Sequence, residues 1–186
     1  MPPFVPVQMN DLTPKEQEAL NMYTGGESLW INNFLREHNL GELNTRQKEQ
    51  LRNYTVHLNN IINKAPPSTK NTTVYRGAEA MDEKWERLNK GDDLLFTQKG
   101  LISTSFNKDV ALDFIEDDSP CCLLVLRLPK NTKGLYISSQ SAFGDLDEDE
   151  LLLPHGSRFR VSRRATRQYG ANKIITYYAD LISQAS

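Results

Sequence analysis

The 186-residue chain is 38% hydrophobic and 25% charged, with a mean hydropathy of −0.57. That balance describes a soluble globular domain with a real core and excludes a disordered or membrane-embedded chain. A formal charge of −2 gives no global pull toward nucleic acid or a membrane surface. The two cysteines, Cys121 and Cys122, are strand neighbours that diverge, which excludes a disulfide framework.

The start, MPPFVPVQMN, has neither a basic nor an apolar signal region, so no cleavable signal peptide is expected; a cytosolic site of action suits it, as does an injected or secreted effector. Thr13-Pro14-Lys15-Glu16 predicts a helix opening with Thr13 as cap, Pro14 in the first turn and Glu16 closing a capping box, and Gly25-Gly26 predicts its end. A second helix is expected from Glu27 to His38 with Leu29, Trp30, Phe34 and Leu35 buried. A third is capped by Thr45 and buries Leu51, Tyr54, Leu58, Ile61 and Ile62, until Ala65-Pro66-Pro67-Ser68 breaks it.

Residues 1–70 therefore read as a helical annex and 71–186 as a β-rich core. Strands are expected at Thr72 to Arg76, Asp93 to Thr97, Leu101 to Ser105, Cys121 to Leu128, Leu135 to Ile137, Glu150 to Leu153, Arg158 to Val161 and Ile174 to Leu181. Helices are expected at Asp82 to Leu88 and after Asn107, the latter carrying Val110, Ala111 and Phe114. Helices first and strands after predict an α+β fold.

Charge is uneven along this order. Residues 113–150 hold nine acids against three bases, and from Gly156 onward six bases face one acid; internal pairing explains this better than a polyanion site. The arginines at 158, 160, 163, 164 and 167 lack an interleaved aromatic platform, so no nucleic-acid module is expected. His38, His57 and His155 form no triad and are expected at the surface.

Three short polar signatures interrupt the apolar scaffold. In Asp147-Glu148-Asp149-Glu150-Leu151-Leu152-Leu153-Pro154, strand alternation puts Glu148 and Glu150 on one face, where two carboxylates can divide roles, although an acidic turn capping a buried strand has the same pattern. Val74-Tyr75-Arg76-Gly77 ends a strand on a guanidinium, suited to a phosphate but also to plain surface exposure. Ser103-Thr104-Ser105 can orient a carboxylate through its hydroxyls, or simply leave a strand. Asp145, Asp147 and Asp149 alternate like a calcium loop, but Glu150 stands where that loop needs glycine, so no metal is expected.

In this order the signatures resemble the R-S-E class of mono-ADP-ribosyltransferases, as found in bacterial binary-toxin and exoenzyme domains. The likeness extends to Leu12-Thr13 with Glu16, Tyr23-Thr24, and Ile31-Asn32-Asn33-Phe34-Leu35-Arg36 upstream. Downstream it includes Gly100-Leu101-Ile102-Ser103-Thr104-Ser105-Phe106, Ala111 with Phe114, Leu126-Arg127-Leu128-Pro129-Lys130, and Gly156, Phe159 and Val161. It covers nearly the whole chain.

The resemblance implies a single domain over residues 1–186, with the annex packed on two small, roughly perpendicular β-sheets and NAD bound as co-substrate between them. It implies that Arg76 meets an NAD phosphate, with Gly77, Ser103, Thr104, Phe114 and Asn32 also near NAD. Ser103 would orient Glu150, and Glu150 would hydrogen-bond the nicotinamide ribose, where a fixed carboxylate stabilises developing positive charge. Glu148, with Phe143 on the preceding loop, would address the acceptor. A glutamate two positions before the NAD-activating one goes with arginine acceptors, because a guanidinium needs a carboxylate to bind it and assist proton loss. The expected activity is transfer of ADP-ribose from NAD to an arginine of a target protein, by a monomeric toxin or effector. NAD glycohydrolysis and a non-arginine acceptor are the alternatives. One departure stands out: Glu116-Asp117-Asp118 follows Phe114 where several relatives carry a further phosphate-binding arginine.

Overall fold

The computed structural model describes residues 2–35, 37, 40–79, 94–113, 115, 121–138 and 149–185. Helix α1 (Pro14–Met22) opens on the capping box read from the sequence. The Thr13 hydroxyl accepts the Glu16 N–H at 3.2 Å and the Glu16 carboxylate accepts the Thr13 N–H at 2.9 Å, pairing two donors that a helix start otherwise leaves open.

Gly25 and Gly26 do not stop the chain there. It runs through a π-helical turn (Tyr23–Glu27) into α2 (Ser28–Leu35), and the Thr24 hydroxyl donates to the Leu20 carbonyl at 2.9 Å inside the widened turn. In α2 Ile31 is fully buried and Trp30 is 40% exposed, with Phe34 and Leu35 half-buried; the side chain of Leu29 lies outside the described ones. Helix α3 (Thr45–Lys64) is capped by Asn44, one residue before the expected Thr45. Asn44 and Gln47 form a second capping box at 2.9 and 3.0 Å, and asparagine is the better cap. Leu51, Tyr54, Leu58, Ile61 and Ile62 are all buried, as their helical spacing predicts.

The strands are β1 (Thr72–Glu79), β2 (Leu94–Gln98), β3 (Ile102–Ser105), β4 (Cys121–Leu128), β5 (Leu135–Ile137), β6 (Glu150–Leu153), β7 (Ser157–Tyr169) and β8 (Asn172–Ser183), with helix α4 (Lys108–Asp113) between β3 and β4. The expected Asp82 to Leu88 helix lies outside the described residues. Pairing follows the order β2-β7-β8-β4-β1-β3-β6-β5, with β4 and β8 parallel. The order divides into a mixed five-stranded ladder, β2 to β1, and an antiparallel three-stranded ladder, β3-β6-β5. They join at one register pair, Tyr75 with Ser105. The two small sheets implied by the resemblance take this linked form.

Side-chain alternation gives the three-stranded ladder two apolar faces. Ile102, Tyr136, Leu151 and Leu153 pack with Val74, Leu124, Leu126, Phe159 and Tyr177 of the five-stranded ladder. On the opposite face, Leu101 and Leu135, Ile137 and Leu152 pack against Leu20, Ile31, Leu58 and Ile62 of the helices. Helix α4 covers part of the five-stranded ladder through Ala111 on Leu123 and Ile174. The N-terminal segment closes the β5 edge, where the Val7 N–H donates to the Tyr136 carbonyl at 2.8 Å.

Strand β7 runs on well past Val161, to Tyr169, while β8 (Asn172–Ser183) exceeds its expected Ile174 to Leu181 by two residues at each end, because the outer part of this hairpin lacks the apolar alternation that marks a strand in sequence. On the hairpin itself Arg163 stacks over the Tyr178 ring at 5.1 Å and Arg167 Nε donates to the Tyr178 hydroxyl at 3.3 Å; most of the acidic middle expected to pair with these bases lies outside the described residues. No described helix is long and apolar enough to cross a membrane.

Candidate active site

Strand β6 begins at Glu150. Period two puts Glu150 on the face of Leu152, toward the helices, and Asp149 on the face of Leu151 and Leu153. On β3, Ser103 lies opposite Leu152 and Ser105 opposite Glu150. The hydroxyl at 103 and the carboxylate at 150 are therefore diagonal neighbours on one face, and Ser103 Oγ donates to Glu150 Oε1 at 2.5 Å. Arg76 comes from β1, and its Nη1 donates to the Ser103 carbonyl oxygen at 2.7 Å. Ser105 sets the junction, being in register with both Tyr75 on β1 and Glu150 on β6.

Residues 27 and 47 positions apart along the chain thus meet as a guanidinium, a hydroxyl and a carboxylate, all half-buried. The hydroxyl bond to an ionised carboxylate is of the strong, charge-assisted kind and fixes its direction. Such a set has the chemistry to bind a phosphate and to stabilise a developing cation.

The other residues singled out in the sequence are distributed differently. Thr104 points to the far side of β3, is buried, and donates to the Leu151 carbonyl at 2.7 Å; it clasps β3 to β6, and its side chain is not on the face of Ser103. Gly77 makes its close approach to α4: a Cβ there would sit 2.3 Å from the Ala111 carbonyl oxygen. Asn32 ties the helices to β3, its Oδ1 accepting the Leu101 N–H at 2.8 Å and its Nδ2 donating to the Tyr23 hydroxyl at 3.2 Å. Glu148, Phe114, Phe143 and the Glu116-Asp117-Asp118 run lie outside the described residues. His155 is half-buried, with its ring 3.0 Å from the Asn59 amide. Among the described residues no three His, Cys, Asp or Glu side chains gather as a metal site.

A residue absent from the sequence reading also touches this region. The Tyr136 hydroxyl donates to Asp149 Oδ1 at 3.1 Å. Burial pushes its pKa up, the Asp149 hydrogen bond and charge add to this, and a hydrogen bond from Ser138 opposes it. No local pattern announces such a contact, since it forms only when β5 and β6 pair.

A family model described as ADP-ribosyltransferase exoenzyme matches residues 7–182. Among solved structures, the chain is similar to Plx2a, an ADP-ribosyltransferase toxin from Paenibacillus larvae, at 21% identity and TM-score 0.72, covering 94% of this chain and 89% of that one. It is similar to the ADP-ribosyltransferase Vis in complex with agmatine, Vis being from Vibrio splendidus, at 20% identity and TM-score 0.68, covering 92% and 76%. It is also similar to BECa, an ADP-ribosylating toxin of a C. perfringens binary enterotoxin, solved with NADH, at 20% identity and TM-score 0.71, covering 94% of this chain and 45% of that one. An uncharacterized protein of Acanthamoeba polyphaga mimivirus is 27% identical over 146 residues; the match covers 72% of this chain and spans 19% of that protein.

Proposed function

The chain belongs to the ADP-ribosyltransferase exoenzymes, and from that premise we propose that it moves ADP-ribose from NAD to an arginine of a target protein as a toxin or effector in the cytosol of a target cell, with residues 1–186 acting as one domain. The observation that carries the reading is the Ser103 to Glu150 hydrogen bond of 2.5 Å, with Arg76 anchored beside it. NAD, when bound, supplies the ADP-ribosyl group and nicotinamide as leaving group. Glu150 holds its fixed carboxylate where positive charge develops on the ribose as the glycosidic bond to nicotinamide breaks. Arg76 contributes a forked guanidinium suited to a phosphate. Glu148, two residues earlier, binds the acceptor guanidinium and assists its proton loss as the new carbon–nitrogen bond forms.

The arginine acceptor is supported by Glu148 and by agmatine, a guanidinium compound, in the complex with Vis; the NAD donor is supported by NADH in the BECa structure. NAD glycohydrolysis is the competing reading, because Arg76, Ser103 and Glu150 form a set complete without an acceptor group. The two separate on labelled NAD and cell lysate followed by mass spectrometry of modified proteins. Glu150→Gln is expected to lower nicotinamide release about 10²-fold or more, with or without acceptor, while Glu148→Gln spares much of the hydrolysis and loses transfer. Label found only on Asp, Glu or Cys would overturn the arginine acceptor, and equal losses in both variants would overturn the division of roles.

A further inference from the structure

Glu150 is the first residue of a four-residue strand, and strand ends fray. The Ser103 hydroxyl orients the carboxylate but does not hold the backbone that carries it. That backbone is in register with Ser105 on β3 and Ile137 on β5, and it is held again one residue earlier, where the strand begins. The Asp149 carbonyl oxygen accepts the Phe106 N–H at 3.1 Å, extending the bonding between the two strands past Glu150, and Asp149 Oδ1 accepts the Tyr136 hydroxyl at 3.1 Å.

Tyr136 is a fixed post. It is 6% exposed, its ring meets Phe106 edge-on at 5.3 Å, and Phe106 packs on Phe4 at 6.0 Å. Its carbonyl is bonded by Val7, and Ser138 adds a hydrogen bond to its hydroxyl. Because side chains alternate, tying Asp149 to the core side directs Glu150 to the opposite face.

We propose that Tyr136 is a positioning residue that pins the start of β6 through Asp149 and so holds the Glu150 carboxylate where Ser103 receives it. The proposal rests on the reading of Glu150 as the NAD-activating group. A residue that orients this carboxylate without touching substrate acts on turnover and not on the KM for NAD.

The test measures nicotinamide release by the full chain, below its melting temperature, for Tyr136→Phe, Asp149→Ala, Asp149→Asn, the double variant Tyr136→Phe/Asp149→Ala, and Glu150→Gln as reference. Tyr136→Phe and Asp149→Ala should each lower kcat about 10-fold, with KM within about 2-fold of the parent. The double variant should fall no further, because both changes remove one contact. Asp149→Asn keeps an acceptor oxygen for the tyrosine and should retain at least about half of the turnover.

Wild-type kcat in Tyr136→Phe, additive losses in the double variant, a loss carried by KM, or equal losses in Asp149→Asn and Asp149→Ala would overturn the proposal. If Tyr136→Phe lowers the melting temperature, the comparison of the two Asp149 variants, at a half-buried position, decides it. Full turnover by Glu150→Gln would instead overturn the reading of Glu150, an outcome separate from any result with the Tyr136 and Asp149 variants.

Discussion

Glu16 carries two loads through one oxygen: its Oε1 accepts the Thr13 N–H at 2.9 Å and the Lys64 ammonium at 2.5 Å. Burial pulls this carboxyl's pKa up, but the Lys64 hydrogen bond, the Thr13 backbone bond, the lysine charge and the Thr13 hydroxyl together outweigh it, leaving the pKa below the ordinary 4.5. A depressed folded-state pKa contributes stability that is present above the unfolded value and is lost as pH falls through the folded one. Glu16→Gln keeps the capping geometry and removes the charge, so it should cost about 1–2 kcal/mol at pH 7. Denaturant midpoints of the variant and parent should converge as pH falls below 4.5, and a gap independent of pH would show that the charge is not what matters. The capping half of this arrangement is legible in Thr13 and Glu16, three residues apart. The lysine is 48 residues away and nothing near Glu16 points to it. The same limit applies at the site. Ser103, Arg76 and Glu150 were recognisable by their order, whereas the opposed faces of Ser103 and Thr104 and the Tyr136 to Asp149 bond depend on which strands pair.

Helix α4 seats on β1 at the one residue of that strand without a side chain. A methyl group on Gly77 would lie 2.3 Å from the Ala111 carbonyl oxygen and 3.1 Å from Ile115 Cγ1, and the first of these is backbone that cannot swing aside. Gly77→Ala should therefore cost about 1–3 kcal/mol through forced displacement of the helix, read as a lower thermal midpoint. An unchanged midpoint would mean that α4 moves freely on the strand. In the sequence this glycine stands beside Arg76 and is expected near NAD; the close approach that the structure shows on its Cβ side is that of a helix. Elements with apolar spacing, such as α3 and β4, match their expected extents almost to the residue, since burial imposes the pattern. Strand β7 was legible only to Val161, because beyond it Arg163, Arg164 and Arg167 are exposed and the strand is maintained by backbone pairing with β8 and by the contacts of Arg163 and Arg167 with Tyr178, none of which shows as apolar alternation. The π-helical turn at Tyr23–Glu27 was likewise illegible, as glycine pairs more often stop a helix than widen it.

At the scale of the molecule, the helical segment is more than an annex. Leu101, Leu135, Ile137 and Leu152 are 1% exposed or less, and the residues that cover them are Leu20, Ile31, Leu58 and Ile62 of the helices. The sheet needs that cover, because the β3-β6-β5 ladder is apolar on both faces and the five-stranded ladder covers only one. Asn32 adds a polar tie, its Oδ1 on the Leu101 N–H two residues before Ser103, so the helices also fix the strand that orients Glu150. A chain lacking residues 2–64 would expose four large aliphatic side chains, each worth about 1.5–3 kcal/mol when buried, against a total stability of only about 5–15 kcal/mol for a typical domain. Such a chain should aggregate or bind a hydrophobic dye with broad, non-cooperative melting, and supplying residues 2–64 as a separate peptide should restore a cooperative transition before it restores nicotinamide release. A truncated chain that melts cooperatively by itself would mean that residues 71–186 form an independent domain and that the single-domain reading of residues 1–186 is wrong.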